Sequence, residues 1–129
     1  LWVPKAPRLP GPLLSPHVAN TALDAFGHAV VDEVLSSSAL SALSRQLQEA
    51  TMYFHLEATG SYLVALWEDG LASPLLGQVV EELLQALPAL CLHRLCEARA
   101  YKALGVGGSA PGLAPLGADV TMILWVLPS

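Results

Sequence analysis

The side chains of this sequence that could bind a metal or transfer protons include four histidines and two cysteines. Cys91, His93 and Cys96 stand close together in CLHRLC, and soft ligands at such short spacing can coordinate zinc. Structural zinc takes four ligands, usually from two pairs, and this cluster has no second half. The pattern therefore favours cysteines that act as small apolar residues near a helix end over a zinc site.

His55 and Glu57 form a second candidate, because residues two apart on a strand point to the same side and can share a metal. A surface pair on a hairpin is the simpler interpretation of the same spacing, and we favour it. His17 lies in a proline-rich segment and His28 precedes the first predicted strand, so both are expected to be solvated.

Composition and charge argue against two classes of partner. The net charge is −5 and the six basic residues are scattered, so no continuous basic surface is expected for nucleic acid. The chain is 53% hydrophobic, but its longest apolar tract, residues 74–92, is interrupted by glutamates, glutamines and a proline, so no membrane span is expected. Two cysteines without a disulfide framework favour a reducing compartment, and we expect a cytoplasmic protein.

Hydrophobic periodicity indicates the elements that position these residues. Residues 1–27 contain many prolines and are predicted to form an irregular arm. A short strand is predicted at 29–31, and one of the serines at 36–38 is expected to cap a helix over 37–50. That helix presents one apolar face, made of Leu40, Leu43 and Leu47.

A hairpin and a second helix follow. Residues 51–60 alternate in polarity as a half-buried strand does, and the apolar run in 61–70 is typical of its partner across a glycine-containing turn. The second helix is predicted over 73–87, with Ser73 as its cap, and Pro88 ends it. Its apolar side comprises Leu75, Leu76, Val79, Val80, Leu83, Leu84 and Leu87. Its outer side is predicted to carry Gln78, Glu81, Glu82 and Gln85.

Two more strands complete the prediction. RLCEARAYKAL alternates loosely in polarity and indicates a strand, whereas residues 105–117 are a loop rich in glycine and proline. VTMILWVL, residues 120–127, is predicted to be a strand buried on both faces, because both of its faces are largely apolar. The predicted core consists of Leu40, Leu43, Leu47, Phe54, Leu63, Leu76, Val80, Leu83, Leu84 and the strand 120–127.

Four segments occur in an order that resembles a known family, namely VVDEVLSSSALSALSRQLQEATMYF, GSYLVALWEDGLASPLLGQVVEELLQALP, LCEARAYKAL and VTMILWVLP. They are similar to the N-terminal half of proteins related to iron(II)- and 2-oxoglutarate-dependent oxygenases, in the prolyl-hydroxylase-like group found beside tetratricopeptide repeats. The resemblance covers residues 29–128. It implies an α+β domain over residues 28–129, formed by part of a double-stranded β-helix, or jelly roll, with helices packed on its outside.

The metal site of that family is altered in this sequence. The resemblance implies a His-x-Asp pair after the Tyr-Lys strand and a second histidine much later, which together hold iron(II) and leave room for 2-oxoglutarate and oxygen. Aligned without a gap, the pair falls on Ala114 and Leu116. With a short deletion, Asp119 keeps its role and Gly117 replaces the histidine. Asp119 is therefore the one candidate metal ligand that the resemblance gives.

The resemblance thus implies a degenerate, truncated oxygenase-like domain, a pseudoenzyme that acts as a binding or interaction module. Neither iron(II) nor 2-oxoglutarate is expected to serve this chain as a cofactor. Residues 119–127 are expected to contact the missing C-terminal strands or another chain, and self-association is one form of that contact. The alternative is a fragment of an active dioxygenase whose remaining ligands lie beyond residue 129, or one that recruits His55 or His93 beside Asp119.

Overall fold

The computed structural model describes residues 10–49, 55–56, 62–103 and 118–126. In these ranges the chain combines helices with one three-stranded antiparallel sheet, which confirms a mixed α+β class. The helices and strands are α1 (Ser37–Glu49), β1 (His55–Leu56), β2 (Tyr62–Leu66), α2 (Pro74–Ala86) and β3 (Arg99–Ala103). Short 3-10 helices occupy Pro16–Asn20, Trp67–Asp69 and Pro88–Leu90. No helix in the described ranges is long and apolar enough to cross a membrane.

Helix α1 lies where the leucine spacing predicted it, and it begins with a serine cap. Ser36 Oγ accepts a hydrogen bond from the backbone N–H of Ala39 at 3.3 Å. Leu43 is buried and Leu47 is half-buried, whereas Leu40 is 39% exposed. The prediction of Leu40 as a core residue is wrong, because Ala39 occupies the buried position beside it.

Helix α2 confirms the predicted start and end. Ser73 Oγ accepts a hydrogen bond from the backbone N–H of Leu76 at 3.1 Å and donates one to Gln46 Oε1 at 3.0 Å, so the cap also ties α2 to α1. Pro74 occupies the first turn, and Pro88 follows the end of the helix. Four residues of the predicted apolar side are buried, namely Leu75, Val79, Leu83 and Leu87, while Leu76, Val80 and Leu84 are half-buried.

The sheet has the strand order β1-β2-β3, with both pairs antiparallel. Pairing of β1 with β2 confirms the predicted hairpin, whose turn lies outside the described residues. In this register His55 lies opposite Val64, and Val64 lies opposite Tyr101. The three strands establish an antiparallel sheet, and the finer prediction of a jelly roll stays a prediction.

One face of this sheet is packed against the helices. Ala65, Trp67 and Leu71 form a buried cluster, against which Leu47 of α1 and Val80 of α2 pack. Successive residues of a strand point to opposite faces, so Val64 lies on the other face from Ala65. The helices therefore lie on one side of the sheet, and the face that carries His55 and Tyr101 is directed away from them.

The larger hydrophobic core includes part of the segment predicted to be an irregular arm. Leu13, Leu14 and Val18 are buried in one cluster with residues of α1 and α2. Glu82 Oε1 of α2 accepts hydrogen bonds from the backbone N–H groups of Leu13 at 2.8 Å and Leu14 at 3.4 Å. An isolated β-bridge joins Leu14 to Leu35. This proline-rich segment is thus part of the folded core from Leu13 to Val18.

The polar side of helix α2 is more buried than the sequence predicts. Gln78 is 6% exposed, and its amide donates a hydrogen bond to Glu82 Oε2 at 3.1 Å. Glu82 is half-buried, whereas Glu81 and Gln85 are exposed as predicted. The prediction that Gln78 and Glu82 lie outside is wrong, because Glu82 binds the backbone of the segment that begins at Leu13.

Two predicted strands are absent from the described structure. Neither residues 29–31 nor residues 120–126 form a strand there. Both runs are apolar, but a strand also needs a partner with which to exchange backbone hydrogen bonds, and the described residues provide none for either run. The prediction that 120–127 is a buried core strand is therefore wrong for 120–126. Phe54, also predicted in the core, lies outside the described residues.

Candidate functional site

Residues 118–126, here called the apolar segment, are attached to the core by two side chains and leave the others in solvent. Leu124 and Val126 are half-buried and pack against the larger core. The apolar side chains exposed on this segment are Val120, Met122, Ile123 and Trp125, and Trp125 is 69% exposed. Single exposed apolar residues are common on protein surfaces, but several in one anchored segment indicate a contact surface.

Asp119, at the start of the apolar segment, lies near His93. The distance from His93 Nε2 to Asp119 Oδ2 is 3.8 Å, and the two side chains are 38% and 86% exposed. The backbone N–H of His93 donates to the carbonyl oxygen of Leu90 at 2.9 Å, which fixes the chain just after the last 3-10 helix. The structure thus brings together two residues that the sequence analysis considered as ligands. An ion pair forms between them when the histidine is protonated.

This pair does not fit a resident iron centre. The facial triad of an iron oxygenase takes two histidines and one carboxylate. In the described part of the chain, no group of three or more histidine, cysteine, aspartate or glutamate side chains is placed to hold a metal. His93 and Asp119 are two donors on an open surface, so we derive no catalytic step through iron.

The remaining candidate ligands lie apart from that pair. Cys91 and Cys96 are free thiols on the surface. His17 Nε2 lies 2.7 Å from the carbonyl oxygen of Asp32, and the backbone N–H of His28 donates to Asp24 Oδ1 at 2.9 Å. Exposure of both histidines confirms the prediction that they are solvated.

His55 contacts an acidic residue that the sequence analysis did not select. Its Nε2 atom lies 3.1 Å from Asp69 Oδ2, and Asp69 belongs to the 3-10 helix that follows β2. Glu57, the partner considered from the sequence, lies outside the described residues. The contact joins β1 to the 3-10 helix that follows β2, and a sequence separation of 14 hides it from any local motif.

The sheet face directed away from the helices carries aromatic side chains. Tyr62 and Tyr101 lie in edge-to-face contact, with ring centroids 6.5 Å apart and planes at 89°. His55 and Tyr101 flank Val64 in the same row of the sheet. The sequence did not predict that Tyr62 and Tyr101 share this face or that they meet across it.

Comparison of the chain with models of protein families, with curated proteins and with solved structures finds no match.

Proposed function

We propose that this chain is a degenerate oxygenase-like domain that binds another polypeptide through the apolar segment and does not itself catalyse 2-oxoglutarate turnover. The family assignment rests on the ordered sequence resemblance described above. An antiparallel sheet with helices packed on one face is compatible with it, since a jelly roll of this family has helices outside its sheets. We also propose a cytoplasmic location, which the free, exposed thiols of Cys91 and Cys96 support.

The observation that carries this proposal is that the apolar segment has one side packed against the core and one side exposed to solvent. Leu124 and Val126 hold it on the core, while Ile123 and Trp125 alternate with them and stay exposed. Burial of apolar surface stabilises a complex by about 25 cal/mol for each Å² removed from water. Tryptophan is among the residues that contribute most to protein–protein binding. A segment that is already held in place also loses less conformational entropy on binding than a free one.

Charge supports contact with a polypeptide rather than with an anionic ligand. Asp119 is the only charged residue after Lys102. The apolar segment therefore offers no cation to a phosphate or to a nucleic-acid backbone. When the purified chain is the only protein in solution, the polypeptide that the apolar segment can bind is a second copy of the same chain.

Sedimentation velocity of the purified chain over a range of concentrations tests the proposal. We expect the wild type to self-associate, and Trp125→Ser combined with Ile123→Ser to shift the protein towards monomer. Leu56→Ser is the matched control, because it removes an exposed apolar residue that lies on β1, outside the apolar segment. A wild type that stays monomeric at tens of micromolar would contradict the proposal, as would equal association of wild type and double variant.

A second candidate function is metal-dependent chemistry at His93 and Asp119, and their 3.8 Å approach is the observation that favours it. It corresponds to a fragment of an active dioxygenase whose remaining ligands lie beyond residue 129. Anaerobic titration with iron(II) distinguishes it from the first proposal. Stoichiometric binding that is lost in both His93→Ala and Asp119→Asn would favour the enzyme, whereas weak binding unaffected by either change would favour the binding module.

A further inference from the structure

Two further exposed apolar side chains lie on the loop formed by residues 21–33, here called the acidic loop. Phe26 is 84% exposed and Val30 is 93% exposed. Neither residue belongs to the apolar segment, and the oxygenase resemblance assigns no role to either of them. Apolar side chains that are this exposed contribute little to the free energy of folding, and covering them in a complex would stabilise that complex.

The loop holds Phe26 in a defined turn. Asp24 Oδ1 accepts hydrogen bonds from the backbone N–H groups of Phe26 at 2.8 Å and His28 at 2.9 Å. The backbone N–H of Asp24 donates to the carbonyl oxygen of His28 at 2.7 Å, and Gly27 supplies the left-handed conformation that the turn requires, with φ 78°. Phe26 is thus presented on a closed turn.

Beside the turn the loop borders an open surface cavity of about 550 Å³. Val30 lines this cavity together with the acidic residues Asp24, Asp32 and Glu33. His17 Nε2 lies 2.7 Å from the Asp32 carbonyl oxygen and so joins the first 3-10 helix to the acidic loop. The sequence contains no lysine or arginine from residue 9 to residue 44, so the loop itself supplies no cation to neutralise these carboxylates.

We propose that the acidic loop binds a basic segment of another protein, in which a lysine or arginine lies next to a bulky apolar residue. The apolar residue packs on Phe26 and Val30, whose exposure leaves them free to be covered. The cationic side chain enters the cavity lined by Asp32 and Glu33. Charge complementarity selects this partner over an acidic peptide or an anionic membrane, because either would bring like charges together.

The test is selection of short random peptides on the immobilised 129-residue chain, followed by fluorescence anisotropy with the enriched peptides. We expect these peptides to carry lysine or arginine beside leucine, phenylalanine or tryptophan. Phe26→Ser should weaken their binding by about tenfold or more if Phe26 is an anchor residue. Asp32→Lys combined with Glu33→Lys should also weaken it, and added salt should weaken wild-type binding.

Leu56→Ser is the control, since Leu56 is another exposed apolar residue and lies on β1. Circular dichroism melting curves establish that each variant is folded. The proposal is overturned if no peptide is enriched, if the enriched peptides lack basic residues, or if they bind Phe26→Ser as tightly as the wild type. Peptides that bind the apolar segment instead are recognised because they lose binding to Trp125→Ser combined with Ile123→Ser, and they are set aside. The result for the remaining peptides is therefore independent of the apolar segment.

Discussion

The carboxylate of Glu82 accepts a hydrogen bond from the backbone N–H of Leu13 at 2.8 Å, and this contact joins helix α2 to a segment 69 positions earlier. The same oxygen lies 3.4 Å from the backbone nitrogen of Leu14, and the other oxygen accepts from the Gln78 amide at 3.1 Å. One half-buried carboxylate thus satisfies donors from two parts of the chain. The contact explains how a proline-rich segment with little regular structure becomes part of the core.

Glu82→Ala should lower the free energy of unfolding by about 1–3 kcal/mol, because it leaves backbone donors without their acceptor. Glu82→Gln keeps one side-chain oxygen and should cost less. Gln85→Ala is the control, since Gln85 is exposed on the same helix. Urea unfolding measures the free energy of unfolding of each of the three variants relative to the wild type. A loss in Glu82→Ala that equals the loss in the control would contradict the assigned role of the carboxylate.

Leu83→Ala should lower the free energy of unfolding by about 2–5 kcal/mol, since a buried leucine loses both transfer free energy and packing. Leu83 belongs to the larger core. Leu40→Ala on α1 should cost distinctly less, because Leu40 is 39% exposed. If the order of the two values is reversed in denaturant melts, the buried faces of the helices have been assigned wrongly.

Ser73 has two roles that a pair of substitutions can separate. Ser73→Ala removes the cap of α2 and the hydrogen bond to Gln46, and should cost about 1 kcal/mol or more. Ser73→Asp keeps an acceptor for the Leu76 N–H but cannot donate to Gln46 when ionised. Its stability in urea should fall between those of the wild type and Ser73→Ala. Equal stability of Ser73→Asp and Ser73→Ala would show that the cap contributes little.

The purified chain should not convert 2-oxoglutarate to succinate, because His93 and Asp119 provide only two candidate ligands in the described residues. The assay contains iron(II), ascorbate and oxygen, with an active enzyme of this class as a positive control. Succinate formed in an iron-dependent manner, and lost in Asp119→Asn, would favour the alternative of an active dioxygenase fragment.

The sequence predicts well those helices and strands whose bounds depend on residues close together in the chain. Ser73 and Pro74 mark the start of α2 through local capping, and the leucine spacing indicates its buried side. The Leu13–Glu82 contact depends on chain closure over a long separation, for which no local pattern exists. The apolar composition of residues 120–127 predicts a strand, because it indicates that this segment avoids water. Composition does not show which segment would pair with it, and residues 120–126 form no strand.

In the candidate site, too, the sequence indicates residues but not the contacts between distant parts of the chain. One alternative drawn from the sequence places His55 or His93 beside Asp119 as a ligand, and in the structure His93 lies near Asp119. It also predicted that the final apolar run would contact another chain, but it could not show which side chains remain exposed. That depends on Leu124 and Val126 packing against the core while Trp125 does not.

Hydrogen exchange of the backbone amides in residues 119–126, measured by mass spectrometry at increasing protein concentrations, tests most directly whether the apolar segment binds another chain. If a second copy covers the segment, protection of these amides should rise with concentration, while protection in α2 stays constant. Trp125→Ser should remove the concentration dependence. Protection that is already strong at the lowest concentration and does not change on concentrating the protein would show that the segment is covered within one chain, and would contradict its assignment as a contact surface.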